Sequence, residues 1–292
     1  MYELEQVGPQ SYYIASPAKI GIYRRNETDV YLIDSGNDKD AGRKVRKILD
    51  EKGWSLKGIL NTHSNADHIG GNRYLQQQYG CKIFAKGIEA DFTKHPVLEP
   101  SFLYGGYPFK ELRHKFLFAE ESDVCETSDE GFPSEIEIIP LPGHFFDMIG
   151  FRVPDGTVFL ADCISSRETL EKYQIAFIYD VAAYLETLDR VENMQANIFV
   201  PSHAAAASDL KELIDFNRSK IYEIAERISS VCEVKRTFED ILRRIFDVYG
   251  LSMSFEQYVL VGSTLRSYLS WLKDNGKVQA VIEDNCIYWL HI

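Results

Sequence analysis

The sequence predicts an α/β protein that carries a C-terminal helical, winged-helix-like module. Short β-rich apolar runs alternate with turns over roughly the first 200 residues, a pattern typical of layered α/β domains. After residue 206 long amphipathic helices take over, and the chain ends in two β runs around the two-residue turn Asp284-Asn285. A chain of 292 residues is long for one domain, so we divide it into a main domain at 1–206 and a module at 207–292.

The N-terminal region predicts a β meander followed by a helix. The runs SYYIASPAKIGIYRR and DVYLIDSG are rich in β-forming residues and flank the polar turn at 26–29. The next stretch, KDAGRKVRKILDEKG, places Val45, Ile48 and Leu49 on one helical face, and Gly53 is a typical helix stop. We therefore expect strands up to about residue 36 and a helix that ends at Gly53.

From Asp91 to Glu135 the chain loses regular periodicity and becomes rich in aromatic residues, glycine and proline. Structureless loops of this length are usually functional or disordered, so two interpretations remain open. The excursion is either a surface insertion packed over the domain or a lid whose aromatic side chains shape a substrate pocket. Under the second interpretation the pocket-lining residues are Phe102, Tyr104, Tyr107, Phe109 and Arg113.

The C-terminal region at 207–292 predicts three helices and a terminal hairpin. Ser254 with Gln257 three residues later is a capping-box pattern for the last of these helices. The region carries 11 Lys plus Arg against 13 Asp plus Glu, so it lacks the basic excess of a nucleic-acid-binding winged helix. We expect it to support packing or homodimer formation instead.

Composition excludes several classes of protein. Apolar content of 45% with 26% charged residues predicts a folded protein. A net charge of −12 argues against nucleic acid as a partner. Without a signal peptide or an apolar run of membrane-spanning length, we expect a cytoplasmic protein with no membrane association. Five scattered cysteines with no C-x-x-C pair argue against both a disulfide framework and a thiolate zinc site.

Four apolar runs each lead directly into a residue that can bind a metal ion. The residues that follow them are His63, His144, Asp162 and His203, and the stretch NTHSNADHIGG adds Asp67 and His68. Because loops at the carboxyl ends of strands converge in layered α/β folds, we expect these six side chains to meet in one cleft. The other three histidines, His95, His114 and His291, lie outside the pattern.

The residue types in this set indicate a catalytic metal site. Imidazole and carboxylate together suit zinc, iron or manganese better than calcium or magnesium, and a site without cysteine is typical of catalysis rather than structure. Taken singly, each residue has a plainer interpretation. A histidine after a strand is more often a hydrogen-bonded loop residue, and Asp67 is placed to cap a helix that starts near Ile69. The joint pattern favours the metal cleft.

The motifs themselves resemble those of the metallo-β-lactamase superfamily. THSNADHIGG is similar to the signature T-H-x-H-x-D-H-x-x-G, and LPGH, FLADC and VPSH match the later ligand motifs in order and spacing over residues 10–205. The resemblance implies an αββα sandwich with two mixed sheets face to face. It also implies a cleft for one or two zinc ions, with iron or manganese as alternatives.

The resemblance assigns the candidate ligands to two positions that share one carboxylate. His63 and His144 fall in site one, Asp67, His68 and His203 fall in site two, and Asp162 bridges them. The sequence departs from the signature at Asn65, which replaces the second histidine. An amide oxygen is a poorer donor than imidazole to zinc, so we expect site one to be the weaker site.

The resemblance further implies a hydrolase that acts on a small-molecule ester, thioester, lactone or amide, with Asp67 also handling the proton of the nucleophile. The chain is nearer to glyoxalase II-like and lactonase-like members than to antibiotic-resistance enzymes. The alternatives are a mononuclear iron oxygenase for a thiol or persulfide and a binding protein that has lost catalysis. A flavodiiron reductase and a nuclease fit the sequence less well, since position 65 is not glutamate and the C-terminal region is acidic.

Overall fold

Two mixed β-sheets form the centre of the molecule in the computed structural model, which describes residues 2–292. The first sheet has seven strands in sequential order: β1 (Leu4–Gln6), β2 (Ser11–Ile14), β3 (Ile20–Arg24), β4 (Asp29–Ile33), β5 (Ser55–Leu60), β6 (Lys82–Ala85) and β7 (Cys125–Glu126). Strands β1 to β4 pair antiparallel, and β4 to β7 pair parallel. The meander predicted for the N-terminal region is therefore present.

The second sheet has four strands in the order β11-β10-β9-β8. Their bounds are β8 (Glu137–Pro140), β9 (Ile149–Arg152), β10 (Thr157–Ser165) and β11 (Ile198–His203). Only β10 and β11 run parallel, because α6 (Arg167–Tyr173) and α7 (Val181–Glu192) connect them. Both carboxyl ends therefore lie at the same edge of the sheet.

Side-chain alternation along the strands explains why the sheets stack. In β4, Val30 and Leu32 face an outer cluster that includes Val45 and Leu75, whereas Tyr31 turns to the opposite face. The inner cluster joins the two sheets, with Tyr31 beside residues of β9 and β10. Since both faces of the first sheet are covered, β2, β3 and β4 are buried along nearly their whole length, as the predicted αββα sandwich requires.

Helices cover the outer faces. On the first sheet lie α1 (Lys39–Lys52) and α3 (Asn72–Tyr79), and the short α2 (Ala66–Ile69) precedes α3. As predicted, α1 ends at Gly53, whose φ of 67° is a left-handed conformation that suits glycine. The outer face of the second sheet is covered by α7 and by helices of the C-terminal region.

The C-terminal region contains the three predicted helices and a three-stranded sheet. The elements are α8 (Lys211–Val231), β12 (Arg236–Thr237), α9 (Phe238–Tyr249), α10 (Phe255–Asp274), β13 (Val278–Glu283) and β14 (Cys286–His291), with the sheet order β12-β14-β13. Ser254 caps α10 by accepting the Gln257 amide N–H at 3.2 Å. Asp284 and Asn285 form the hairpin turn with φ of 49° and 62°, as a type I′ turn requires.

The excursion at 91–135 is more regular than the sequence suggests. It holds the end of α4 (Ile88–Lys94), then α5 (Leu98–Tyr104) and a 3₁₀ turn at Lys110–Leu112. Leu103, Leu112 and Leu117 pack with Val259 of α10. Helices of seven residues span too few turns to show a periodic pattern, which is why these elements were not predicted. None of the helices described within residues 2–292 combines the length and the apolar character that a membrane span requires.

Candidate metal centre

The structure brings the six candidate ligands together in two overlapping groups. His63, His144 and Asp162 form one group, and Asp67, His68, His203 and the same Asp162 form the other. Within each group the ligand atoms all lie within 4.8 Å of one another. Asp162 and His203 lie in β10 and β11, His63 and His144 lie in the loops after β5 and β8, and Asp67 and His68 lie in the short α2.

Asp162 occupies the centre of the cluster. One of its oxygens, Oδ1, lies 3.1 Å from His68 Nε2, and the other, Oδ2, lies 3.0 Å from His203 Nε2 and 3.7 Å from His144 Nε2. Asp67 Oδ2 is 3.6 Å from His203 Nε2 and 3.7 Å from His68 Nε2. Both oxygens therefore contact histidines of the second group, and Oδ2 also lies near His144 of the first, so Asp162 is shared by the two groups.

All four histidines use Nδ1 to bind the protein and turn Nε2 toward the cluster. His144 Nδ1 contacts Phe177 O at 3.0 Å, and His203 Nδ1 contacts Pro17 O at 3.1 Å. His68 Nδ1 lies 2.8 Å from Asp34 Oδ2, and His63 Nδ1 lies 3.0 Å from the hydroxyl of Thr62. Because each Nδ1 faces an oxygen acceptor, that nitrogen keeps its proton, and Nε2 is the nitrogen through which each ring can bind a metal.

Buried polar atoms without partners show that a cation fits this cluster. His63 Nε2 is fully buried and has no hydrogen-bond partner in the protein, and the equally buried His68 Nε2 and Asp162 Oδ1 have only the contact of 3.1 Å with each other. Leaving such atoms unpaired costs about 1–3 kcal/mol each, so they require a ligand. Imidazole nitrogens around a carboxylate are the donors that zinc, iron and manganese accept. The residues present therefore fit a metal ion.

The electrostatics of the cluster point the same way. Burial lowers the pKa of His63 well below its usual value and lowers that of His144, so both rings are neutral donors. Burial also opposes protonation of His203, but Asp162 and Asp67 outweigh it and raise its pKa to about 10. The pKa of Asp162 is held well below its usual range: burial would raise it, but His203 and His68 dominate. The ionised carboxylates are therefore stabilised by positive charge nearby.

Asp34 is a supporting residue that the sequence did not reveal as functional. It is buried at the end of β4, and one oxygen accepts the Thr62 amide N–H at 2.8 Å. The other accepts the Thr62 hydroxyl at 2.7 Å and faces His68 Nδ1. Asp34 thereby orients His68 directly and His63 through Thr62. These contacts join residues that are 28 and 34 positions apart in the sequence, so no local pattern predicts them.

Asn65 is held by a second unforeseen carboxylate. Its amide Nδ2 donates to Glu99 Oε1 at 2.8 Å, and the other Glu99 oxygen accepts the Ala66 amide N–H at 3.1 Å. Asn65 Oδ1 lies 3.1 Å from His144 Nε2. Glu99 is 4% exposed, and burial raises its pKa well above the usual range while the Asn65 hydrogen bond opposes that shift.

Glu89 ties together the two loops that carry His63 and His144. Its Oε2 accepts the amide N–H of Ser64 at 3.0 Å and the hydroxyl of Ser64 at 2.6 Å, and its Oε1 accepts the Asp147 amide N–H at 2.9 Å. Burial raises the pKa of Glu89 to about 7. Its partners lie 25 and 58 residues away, so no local pattern indicates this role either.

A cavity of about 600 Å³ opens on the cluster at His144, Asp162 and His203. Its walls come from residues 165–177 and from α10. The apolar wall residues include Leu170, Ile175, Phe177, Leu260 and Val261, and the charged ones are Glu168 and Lys172. A volume in this range suits a small-molecule ligand.

The expected pocket-lining residues lie elsewhere. Phe102, Tyr104, Tyr107, Phe109 and Arg113 do not line this cavity. Two of them, Phe102 and Tyr104, line a separate cavity of about 750 Å³ between α5 and α10. Phe109 packs against Phe255 with ring centres 5.0 Å apart. The first turns of α10 pack against the excursion and also line the cavity at the cluster. The excursion therefore contacts α10 and not the cavity itself, which fits a packed insertion better than a lid.

This chain is similar to known proteins both in sequence and in fold. The family model of the metallo-beta-lactamase superfamily matches residues 16–203. A hydroxyacylglutathione hydrolase of Pelagibacter ubique is 37% identical over 130 residues, which is 44% of this chain and 45% of that protein. A beta-lactamase-like protein 2 homolog of Drosophila melanogaster is 22% identical over 201 residues, covering 60% of this chain and 58% of its own length. The chain thus spans about half the length of these curated relatives.

Solved structures extend the likeness in fold to the C-terminal region. A metallo-beta-lactamase family protein from Thermus thermophilus has a TM-score of 0.75 at 16% identity, covering 97% of this chain and 99% of its own. A beta-lactamase domain protein from Burkholderia ambifaria has a TM-score of 0.74 at 16% identity, covering 99% and 94%. The family match, the αββα sandwich and the histidine–aspartate cluster agree, and the chain belongs to the metallo-β-lactamase superfamily.

Proposed function

We propose that the protein is a metal-dependent hydrolase that cleaves the acyl bond of a small-molecule thioester or ester. The observation that carries the proposal is the cluster of four inward Nε2 atoms around Asp162, open to a cavity. A bound metal ion supplies a Lewis acid and lowers the pKa of water towards about 7. His63, His144 and Asp162 would hold one ion, and Asp67, His68, His203 and Asp162 a second.

Asp67 is the residue we assign to proton handling. Its side chain is 38% exposed, whereas that of Asp162 is only 9% exposed, so Asp67 is the more solvent-accessible carboxylate of the cluster. Its Oδ2 sits beside Nε2 of both His68 and His203, which holds its charge in place. A fixed carboxylate at this position can orient the attacking water and accept its proton.

The cavity walls favour an apolar acyl group. Leu260 and Val261 of α10 line it together with Leu170, Ile175 and Phe177, and Lys172 is the cation among its lining residues. Lys172 is also hydrogen-bonded to the Tyr173 hydroxyl at 3.0 Å. The activity for which several relatives are named, hydroxyacylglutathione hydrolase, supports thioester chemistry. Glutathione carries two carboxylates, which this lining does not match well, so we propose a less charged thiol carrier.

The test is thiol release from a panel of thioesters by metal-reconstituted protein. The panel contains N-acetylcysteamine thioesters of acetyl, butyryl and octanoyl groups together with S-lactoylglutathione. We expect the apolar acyl groups to be hydrolysed faster, and Asp67→Asn to reduce kcat by about 100-fold or more. Leu260→Asp should raise KM for octanoyl substrates more than for acetyl ones. No thiol release from any thioester, and no hydrolysis of the corresponding oxygen esters, with metal shown to be bound, would contradict the proposal.

One observation favours a second candidate. His63, His144 and Asp162 form a two-histidine, one-carboxylate group, the ligand pattern of non-haem iron oxygenases. An iron-dependent oxygenase acting on a thiol or persulfide is therefore the alternative. Protein purified without added metal distinguishes the two, since stoichiometric iron with thiol-dependent oxygen uptake supports the oxygenase. Zinc or manganese with hydrolysis and no oxygen uptake supports the hydrolase.

A further inference from the structure

The side chain of His144 lies between two oxygen acceptors. Phe177 O is 3.0 Å from Nδ1, and Asn65 Oδ1 is 3.1 Å from Nε2. A neutral imidazole carries one proton and can satisfy only one of these oxygens. Donation to Phe177 O leaves the Nε2 lone pair facing the Asn65 oxygen, and two lone pairs at this distance repel each other. A cation between them removes the repulsion.

Glu99 sets the orientation of the Asn65 amide. Both oxygens of Glu99 accept N–H groups, one from Asn65 Nδ2 and one from the Ala66 backbone. In this orientation the amide N–H group bonds to Glu99 Oε1 and the carbonyl oxygen lies 3.1 Å from His144 Nε2. Glu99 is almost completely buried, so water cannot substitute for this contact. The amide oxygen is thereby fixed toward His144 and site one.

We propose that Asn65 Oδ1 is a direct donor to the metal at site one, and that Glu99 is the positioning residue that presents this oxygen. Site one then has four protein donors: Nε2 of His63, Nε2 of His144, a carboxylate oxygen of Asp162 and the Asn65 amide oxygen. This assignment rests on the proposed metal-dependent function. It changes the expectation for Asn65 from a lost ligand to a replacement ligand that needs a buried partner.

The roles of the two residues can be separated by a double-mutant cycle. The variants are Asn65→Ala, Glu99→Gln and the combination of both, each titrated with Zn²⁺ and with Mn²⁺ by calorimetry. Glu99→Gln replaces one of the two acceptor oxygens with an N–H group. That group faces either Asn65 Nδ2 or the Ala66 amide N–H, so one hydrogen bond is lost. We expect it to weaken site one by about 10- to 100-fold and to leave site two nearly unchanged. Asn65→Ala should weaken site one at least as much.

The cycle distinguishes positioning from a general effect on folding. If Glu99 acts through the amide, Glu99→Gln has no further effect on site-one affinity once Asn65 is alanine. The absorption spectrum of Co²⁺-loaded protein should lose the signature of one coordinating oxygen in Asn65→Ala. Asn72→Ala is the matched control, because Asn72 is a buried amide in the next helix that bonds to Asn61 and not to the cluster.

Two results would overturn the assignment. Unchanged site-one affinity and an unchanged Co²⁺ spectrum in Asn65→Ala would show that Asn65 is not a donor. An equal loss from Glu99→Gln with and without Asn65 would show that Glu99 supports the fold instead. The readout is metal binding, so protein that binds metal at both sites but hydrolyses no substrate would contradict the proposed hydrolase and leave this assignment intact.

Discussion

Asp34 lies at the end of β4 with a φ of 63°, a left-handed conformation that asparagine also adopts readily. Asp34→Asn should therefore preserve the backbone and change only the hydrogen-bond pattern. An amide N–H in place of the oxygen that faces His68 Nδ1 favours the tautomer with a proton on Nε2, which cannot bind metal. We expect metal affinity at site two to fall by about 10- to 100-fold, measured by calorimetric titration.

Asp155→Asn is the matched control for this prediction. Asp155 also accepts backbone N–H groups, from Gln10 at 2.9 Å and from Thr157 at 3.0 Å, but it lies away from the cluster. Its replacement should lower the unfolding temperature without weakening metal binding. Equal metal affinities for wild type and Asp34→Asn would mean that His68 does not depend on Asp34 for its tautomer.

Glu89 gives the protein a defined dependence of stability on pH. Its pKa is about 7 in the folded state because burial disfavours the charged form, against a usual value of 4.5. The folded state thus binds the proton more tightly than the unfolded state. The stability this provides is full below pH 4.5 and is lost as the pH rises to about 7. At about 1.36 kcal/mol per pKa unit the change is on the order of 3 kcal/mol.

Glu89→Gln should remove this pH dependence. Denaturant unfolding of metal-free wild type and variant at several pH values between 4.5 and about 8 measures the difference between their free energies of unfolding. We expect the advantage of wild type over the variant to shrink steadily across this range. A constant difference would show that Glu89 does not change its protonation there.

At the scale of elements, α10 reaches the cluster through the segment that follows α6. Thr264 Oγ1 accepts the Ile178 amide N–H at 3.2 Å, and Ser267 Oγ donates to Tyr179 O at 2.6 Å. The neighbouring Phe177 O is the partner of His144 Nδ1. A helix of the C-terminal region therefore fixes the carbonyl that orients a candidate ligand of site one.

Thr264→Val tests this connection. The substitution keeps the shape of the side chain but leaves the buried Ile178 N–H without an acceptor, at a cost of about 1–3 kcal/mol in folding free energy. We also expect weaker metal binding at site one than at site two. Thr93→Val is the control, since Thr93 is equally buried but its hydroxyl bonds only to the Glu89 carbonyl within its own helix. A loss of stability with unchanged site-one affinity would separate α10 from the metal centre.

The elements also show what a sequence can and cannot predict here. The strands that lead to His63, Asp162 and His203 were predictable because an apolar run, its length and the residue after it are all local features. Asp34 and Glu99 were not, because an acidic residue becomes a supporting group only through partners that lie 34 residues away. Part of the cavity wall was missed for the same reason, since α10 contributes it from the far end of the chain.

At the scale of the whole molecule, one hydrophobic cluster joins the second sheet to the C-terminal region. It includes Leu160 and Ile164 of β10 together with Ile221 of α8, Ile241 of α9 and Leu265 of α10. The division at residue 206 stays a prediction, and the two parts share this core. Removing residues 207–292 would expose apolar side chains of β10 and α7 that the C-terminal helices now cover.

The terminal hairpin is the part of the C-terminal region that we expect to support self-association. Ile282 and Ile287 face each other across β13 and β14 and are 77% and 55% exposed. Exposed apolar pairs of this kind are typical of contact surfaces. If the protein forms a homodimer through this hairpin, light scattering should show that Ile282→Lys is a monomer. The unfolding temperature of this monomer should equal that of the wild-type monomer. Val248→Lys, at a site 51% exposed on α9, is the control. A dimer that survives Ile282→Lys would place the interface elsewhere.

Because His68 and His203 hold protons where a metal ion would bind, the centre behaves as a cation exchanger. Burial opposes protonation of His68, but Asp162, Asp67 and Asp34 outweigh it and raise its pKa well above the usual value. The pKa of His203 is about 10, so this ring carries a second proton at neutral pH in the absence of metal, and the raised pKa of His68 favours the same state. A divalent ion that binds Nε2 must displace these protons into the solvent. Acidification therefore competes directly with metal, and the heat of metal uptake depends on the ionisation enthalpy of the buffer that receives them.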